Sequence, residues 1–97
     1  MDTSNDLHQM AIHAALSSNW QEAIDLNLQI IETEPKNVEA LNRLGRAYFE
    51  LGKLPESKQS FDKSLANDPY NQIAAKFIKR IETCKKKTSK KRGTLGN

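Results

Sequence analysis

Cysteine occurs once in the 97 residues, as Cys84. A single thiol cannot close an internal disulfide, which suits a reducing compartment and predicts a cytoplasmic protein. Long apolar runs are missing as well. No window approaches the roughly 18 apolar residues of a membrane span, so no membrane partner is expected. The opening segment MDTSNDLHQM is polar and acidic, which predicts no secretory signal. Glycine and proline are scarce, with four and three residues. They form neither a glycine-rich phosphate loop nor a nucleophile elbow. His8 and His13 lie five apart, so on one helix they diverge, and no Cys–His cluster offers a metal site. Nothing arranges Ser, His and Asp as nucleophile, base and orienter. No enzyme activity, metal or cofactor is expected.

Acid is missing from one stretch only. Residues 85–97 carry six Lys or Arg and no Asp or Glu, whereas residues 1–84 carry 9 basic and 12 acidic side chains. The net charge of +3 therefore averages a body at −3 and a tail at +6. Like charges packed into KKKTSKKR repel one another, and the stretch is low in complexity. A disordered basic tail is expected over residues 87–97.

What the chain does contain is helical periodicity. Leu7, Met10, Ala11, Ala14 and Ala15 form one apolar stripe over about 5–17, and Ala23, Ile24, Leu28 and Ile31 a second over 20–33. Pro35 disfavours helix at Glu34 and stops the second. Leu41, Leu44, Gly45, Tyr48 and Leu51 mark a third, which Gly52 ends. Pro55 suits the first turn of a fourth helix carrying Phe61 and Leu65. A fifth starts near Asn71, with Ile73, Ala74, Phe77, Ile78 and Ile81. The prediction is all-α, with five helices.

Two short segments recur. TEPKN at 33–37 and NDPYN at 67–71 share an acid, a proline, one variable position and an asparagine, 34 residues apart. A fixed period of this size signals stacked repeats. Residues 38–71 resemble a tetratricopeptide repeat, a helix–turn–helix unit, through Leu41, Leu44, Gly45, Tyr48, Phe61 and Pro69. Ser57 and Ser64 depart from the family pattern, which has alanine at both places. Residues 4–37 form a weaker copy with Leu7, Ala23 and Pro35 in place. There Asn27 stands where the pattern has an aromatic. Trp20 and Leu54 hold the same turn position.

The resemblance implies an antiparallel α-solenoid over residues 1–86, with repeats at 4–37 and 38–71 and a closing helix at 72–86. Gly45 would let the paired helices approach closely. Two repeats are few for a continuous core, so self-association or a further domain beyond RGTLGN is plausible. The family implies a non-enzymatic adaptor or scaffold for protein–protein interaction, with a concave groove built from the first helix of each pair. Its usual groove positions fall here on His8, Ile12, Asn42, Arg43, Arg46, Phe49, Lys76, Phe77 and Arg80. The cations would pair with an acidic protein or peptide, and Ile12, Phe49 and Phe77 would hold apolar side chains. The plain alternative is a set of ordinary solvated helix residues. Members that clamp a C-terminal Glu-Glu-Val-Asp peptide need Lys, Asn, Asn, Lys and Arg, in that order, where this chain has His8, Ile12, Arg43, Ile73 and Phe77. That chaperone-derived peptide is therefore excluded as a partner.

A second reading makes the chain a small nucleic-acid- or ribosome-associated protein with the tail as its working part. Lys85, Lys86, Lys87, Lys90, Lys91 and Arg92 would attract phosphate backbones, with the helices recruiting a partner. No aromatic, Asn or Gln is interleaved to read bases, so such binding is expected to be non-specific. It should weaken steeply between about 50 and 200 mM salt, because each neutralised phosphate releases counterions. Deleting residues 85–97 should abolish it. Retention on nucleic acid by the truncated protein, measured by fluorescence anisotropy, would move the site onto the helices.

Overall fold

Asn37 and Asn71, which close the two recurring segments, each start a helix. The Asn37 Oδ1 accepts the amide of Ala40 at 3.0 Å, and the Asn71 Oδ1 accepts those of Ile73 and Ala74 at 3.1 and 3.2 Å. An asparagine there satisfies amides that the first helical turn leaves unpaired. The acid before each proline ends the preceding helix. The Glu34 amide donates to Ile30 O and the Asp68 amide to Ser64 O, both at 2.8 Å.

The computed structural model describes the backbone of residues 3–96 and the side chains of residues 6–84. Five helices follow in order: α1 (Thr3–Leu16), α2 (Trp20–Thr33), α3 (Val38–Glu50), α4 (Leu54–Asn67) and α5 (Gln72–Gly96). No strand occurs among the described residues. The last described buried side chain of α5 is Ile81. The expected disorder of the basic tail falls on side chains outside the described residues.

The turns inside the two hairpins also correspond. Ser18 and Gly52, 34 positions apart, both have left-handed backbone, with φ of 61° and 77°. The following amides, of Asn19 and Lys53, reach back to Ala14 O and Tyr48 O at 2.8 and 2.9 Å. Glycine adopts this conformation without steric cost, whereas Ser18 holds it against its own Cβ.

Each helix packs on the next, and α3 also touches both α1 and α5, whereas α2 and α4 do not meet. The odd-numbered helices thus form one continuous layer. Ala11, Ala14, Ala23, Ile24, Leu26, Ile30, Ala40, Leu44 and Ala47 make the core between α1, α2 and α3. Phe61, Ala74, Phe77 and Ile81 make a second core between α4 and α5, with Phe49 of α3 packed against it. Four apolar residues expected inward are exposed: Met10, Leu28, Leu51 and Ile73. The helix contacts are narrow lines of small side chains such as Ala40 and Ala47, so the edges of each apolar stripe remain in solvent. Asn27 enters the core in place of Leu28, fully buried.

Two helices approach closely at Gly45. A Cβ built there would stand 2.7 to 2.8 Å from three carbons of the Phe61 ring. Phe61 is itself wholly buried. Ser57, where the family pattern has alanine, donates to Gly45 O at 2.7 Å and ties the same two helices together. Gly45→Ala should therefore destabilise by about 1–3 kcal/mol through overpacking. Chemical denaturation should also show Gly45→Ala with Phe61→Leu losing less than the sum of the two single variants.

Candidate functional site

The layer of α1, α3 and α5 carries all nine residues that the sequence points to, in three different states. Some are engaged in holding the helices together. Asn42 Oδ1 accepts from Ser64 Oγ at 2.6 Å and from Asn71 Nδ2 at 3.0 Å. Asn71 Nδ2 also donates to Ser64 Oγ at 2.7 Å. This polar knot joins α3, α4 and the start of α5, and explains serine where the family pattern has alanine.

Arg43 is engaged across the other junction. Its Nε–H donates to Asn27 Oδ1 at 3.0 Å, while Asn27 Nδ2 donates to Ala23 O at 2.7 Å. Both polar ends of the fully buried Asn27 are thus satisfied, as burial requires. Burial pushes the Arg43 pKa down from its ordinary value, and the nearby Glu39 carboxylate opposes that shift. His8 lies with its Nε2 3.0 Å from Glu34 Oε2, linking α1 to the turn after α2. The Asn37 amide, followed by the His8 contact, holds the Glu34 carboxyl below its usual range.

A second group converges between α3 and α5. Phe77 stacks on Phe61 with ring centroids 5.0 Å apart and planes at 9°. Its ring meets Phe49 edge-on at 5.3 Å and 76°. Arg80 lies 4.8 Å over Phe49 and 5.1 Å over Phe77. Arg46 lies 5.6 Å over Trp20 and 5.9 Å over Phe77, and its Nε–H donates to Glu50 at 3.3 Å. Each guanidinium therefore sits within the range of cation–π attraction. Phe77 is buried and contributes to the floor, whereas Phe49 is half-buried.

Beside this cluster, Phe49, Lys76, Lys79, Arg80, Thr83 and Cys84 line an open groove of about 390 Å³. Ile12 is remote from it. It lines a separate groove on α1 with Gln9, Met10, His13, Leu16 and Glu22. Sequence reasoning missed four contributors to the α3–α5 region: Lys79, Thr83 and Cys84 in the groove, and Trp20. Lys79 could have been found from its spacing, since Lys76, Lys79, Arg80 and Thr83 follow the i, i+3, i+4, i+7 rhythm of one helix face. Trp20 had no local signal, because its approach to Arg46 depends on how α2 meets α3.

Among the described residues no group of three His, Cys, Asp or Glu side chains could hold a metal ion. No helix among them is long and apolar enough to cross a membrane.

The tetratricopeptide repeat family model matches residues 38–71, the α3–α4 hairpin. The five-helix, all-helical chain fits that family. A search of the curated proteins found no match. Tetratricopeptide repeats generally serve as non-enzymatic scaffolds for protein–protein interaction.

The Arg43–Asn27 contact is testable by stability. Arg43→Ala would leave the buried Asn27 Oδ1 without its donor, at a cost of about 1–3 kcal/mol. Replacing both partners, Asn27→Leu with Arg43→Met, should cost markedly less than the two single changes together in urea denaturation.

Proposed function

We propose that the chain is a non-enzymatic, cytoplasmic interaction module that binds an acidic segment of a partner protein. In this reading α1–α2 and α3–α4 are two repeats, α5 up to residue 86 is the closing helix, and residues 87–97 are a basic tail or linker. The partner lies along the layer formed by α1, α3 and α5. The observation that carries the proposal is the convergence of Arg46, Phe49, Lys76 and Arg80 from two helices, over a floor of stacked rings. Cations there stand out from a mildly acidic body and would steer an acidic segment toward apolar contact.

Asn42 and Arg43 already bond to neighbouring helices, so their part is to align the layer. Ile12 borders a different groove, and a long partner would reach it only by running across α1. The cytoplasmic placement rests on the single cysteine, whose thiol a reducing compartment preserves.

Charge reversal separates the groove from the rest of the surface. Lys76→Glu with Arg80→Glu should weaken a partner captured from the source cell at least about tenfold, through lost steering and lost pairing. Lys53→Glu with Lys63→Glu, on α4 and the turn before it, should change affinity little. Lys53→Glu with Lys63→Glu should keep the parent melting temperature, because exposed charges contribute little to stability, while Lys76→Glu with Arg80→Glu should lose only the cation–π contact of Arg80, about 0.5–1 kcal/mol. Equal losses in calorimetric titration, using protein that lacks residues 85–97, would remove the groove as the site.

A further inference from the structure

Three arginines have described side chains, and they differ in what their donors meet. Arg43 Nε–H bonds to Asn27. Arg46 Nε–H bonds to Glu50. Arg80 meets no carboxylate or amide oxygen among the described residues, and its surroundings are the faces of Phe49 and Phe77 at 4.8 and 5.1 Å. A guanidinium carries its five N–H donors around its edge, in its own plane. Attraction to the two rings therefore holds the guanidinium in place while no described carboxylate or amide oxygen takes its donors. The rings are themselves held, since Phe77 stacks on the fully buried Phe61.

The remaining groove residues do not offer the same geometry. The Thr83 hydroxyl donates to Lys79 O at 2.9 Å. Lys76 and Lys79 are exposed, and an ammonium acts as a point charge on a flexible stem. Phe49 borders the groove with an apolar surface directly beside the Arg80 fork.

We propose that this groove recognises a two-residue feature: a carboxylate side chain received by the Arg80 fork, adjacent to an apolar side chain seated against Phe49. The inference rests on the groove reading above and specifies what the groove selects. Arg80 and Phe49 set the selectivity, and Lys76 and Lys79 supply a field that raises the encounter rate. An acidic segment without apolar neighbours binds weakly, because the field alone is screened by salt. An apolar segment without a carboxylate leaves the fork unmatched.

An array of short random peptides, probed with the labelled full chain, tests this. Bound peptides should be enriched in Asp or Glu directly beside Leu, Ile, Val or Phe. Arg80→Lys keeps the charge but loses the planar fork, and should weaken the best of these peptides about tenfold, as expected for one bidentate charge-assisted pair. Lys79→Gln should mainly reduce the salt dependence. Circular dichroism should show both variants as helical as the parent. Enrichment without a carboxylate, or equal binding by Arg80→Lys, would overturn this selectivity and leave the groove reading standing. No enrichment with the parent chain would overturn both.

Discussion

Phe61 lies so close to Gly45 that not even a methyl group fits between them, and the aromatic part of the molecule is built outward from that contact. The Phe61 ring offers its other surface to Phe77, and Phe77 in turn meets Phe49 and supports Arg80. A missing side chain on α3 thus determines where a guanidinium on α5 can rest. The coupling runs through a stack of rigid rings, which transmit position better than aliphatic side chains because they have few internal torsions.

The first hairpin shows what happens when that contact is absent. Ala11 stands at the register of Gly45, and Asn27 at the register of Phe61. Alanine brings a Cβ to the place where the second hairpin has none, and a narrow amide occupies the place of the ring. A buried amide must then be satisfied, and Asn27 bonds both to its own helix and to Arg43. The first hairpin thus meets the next through a polar contact beside the apolar core, while the second meets α5 through aromatic stacking and the Asn42–Ser64–Asn71 knot. The polar junction engages an arginine that spacing alone would have left for a partner.

The same division runs through the charged side chains of the layer. Arginines of similar exposure in sequence terms end with different chemistry: one partly buried against an amide, one shared between rings and a carboxylate, one resting on rings alone. Only the last has no described carboxylate or amide oxygen as a partner. A groove that is broadly cationic by composition is therefore directional in structure.

Much of the architecture was legible in the residues themselves. The 34-residue recurrence placed the turns, the asparagine of each recurring segment proved to be a helix cap, and the positions of Pro35 and Pro69 marked where helices end. These are local effects of backbone geometry and hydrogen bonding over a few residues, so the sequence by itself determined the number and order of the packed helices. It also determined that Gly45 faces a close neighbour. What only the tertiary structure decided was which groove residues remain available. Asn27 is 16 residues from Arg43, and Asn71 is 29 from Asn42, so neither pairing follows from positions on one helix. Helical spacing says which side chains share a face; what stands opposite that face depends on how neighbouring helices cross, and that is settled by the packing of Phe61 against Gly45 and of Asn27 beneath Arg43.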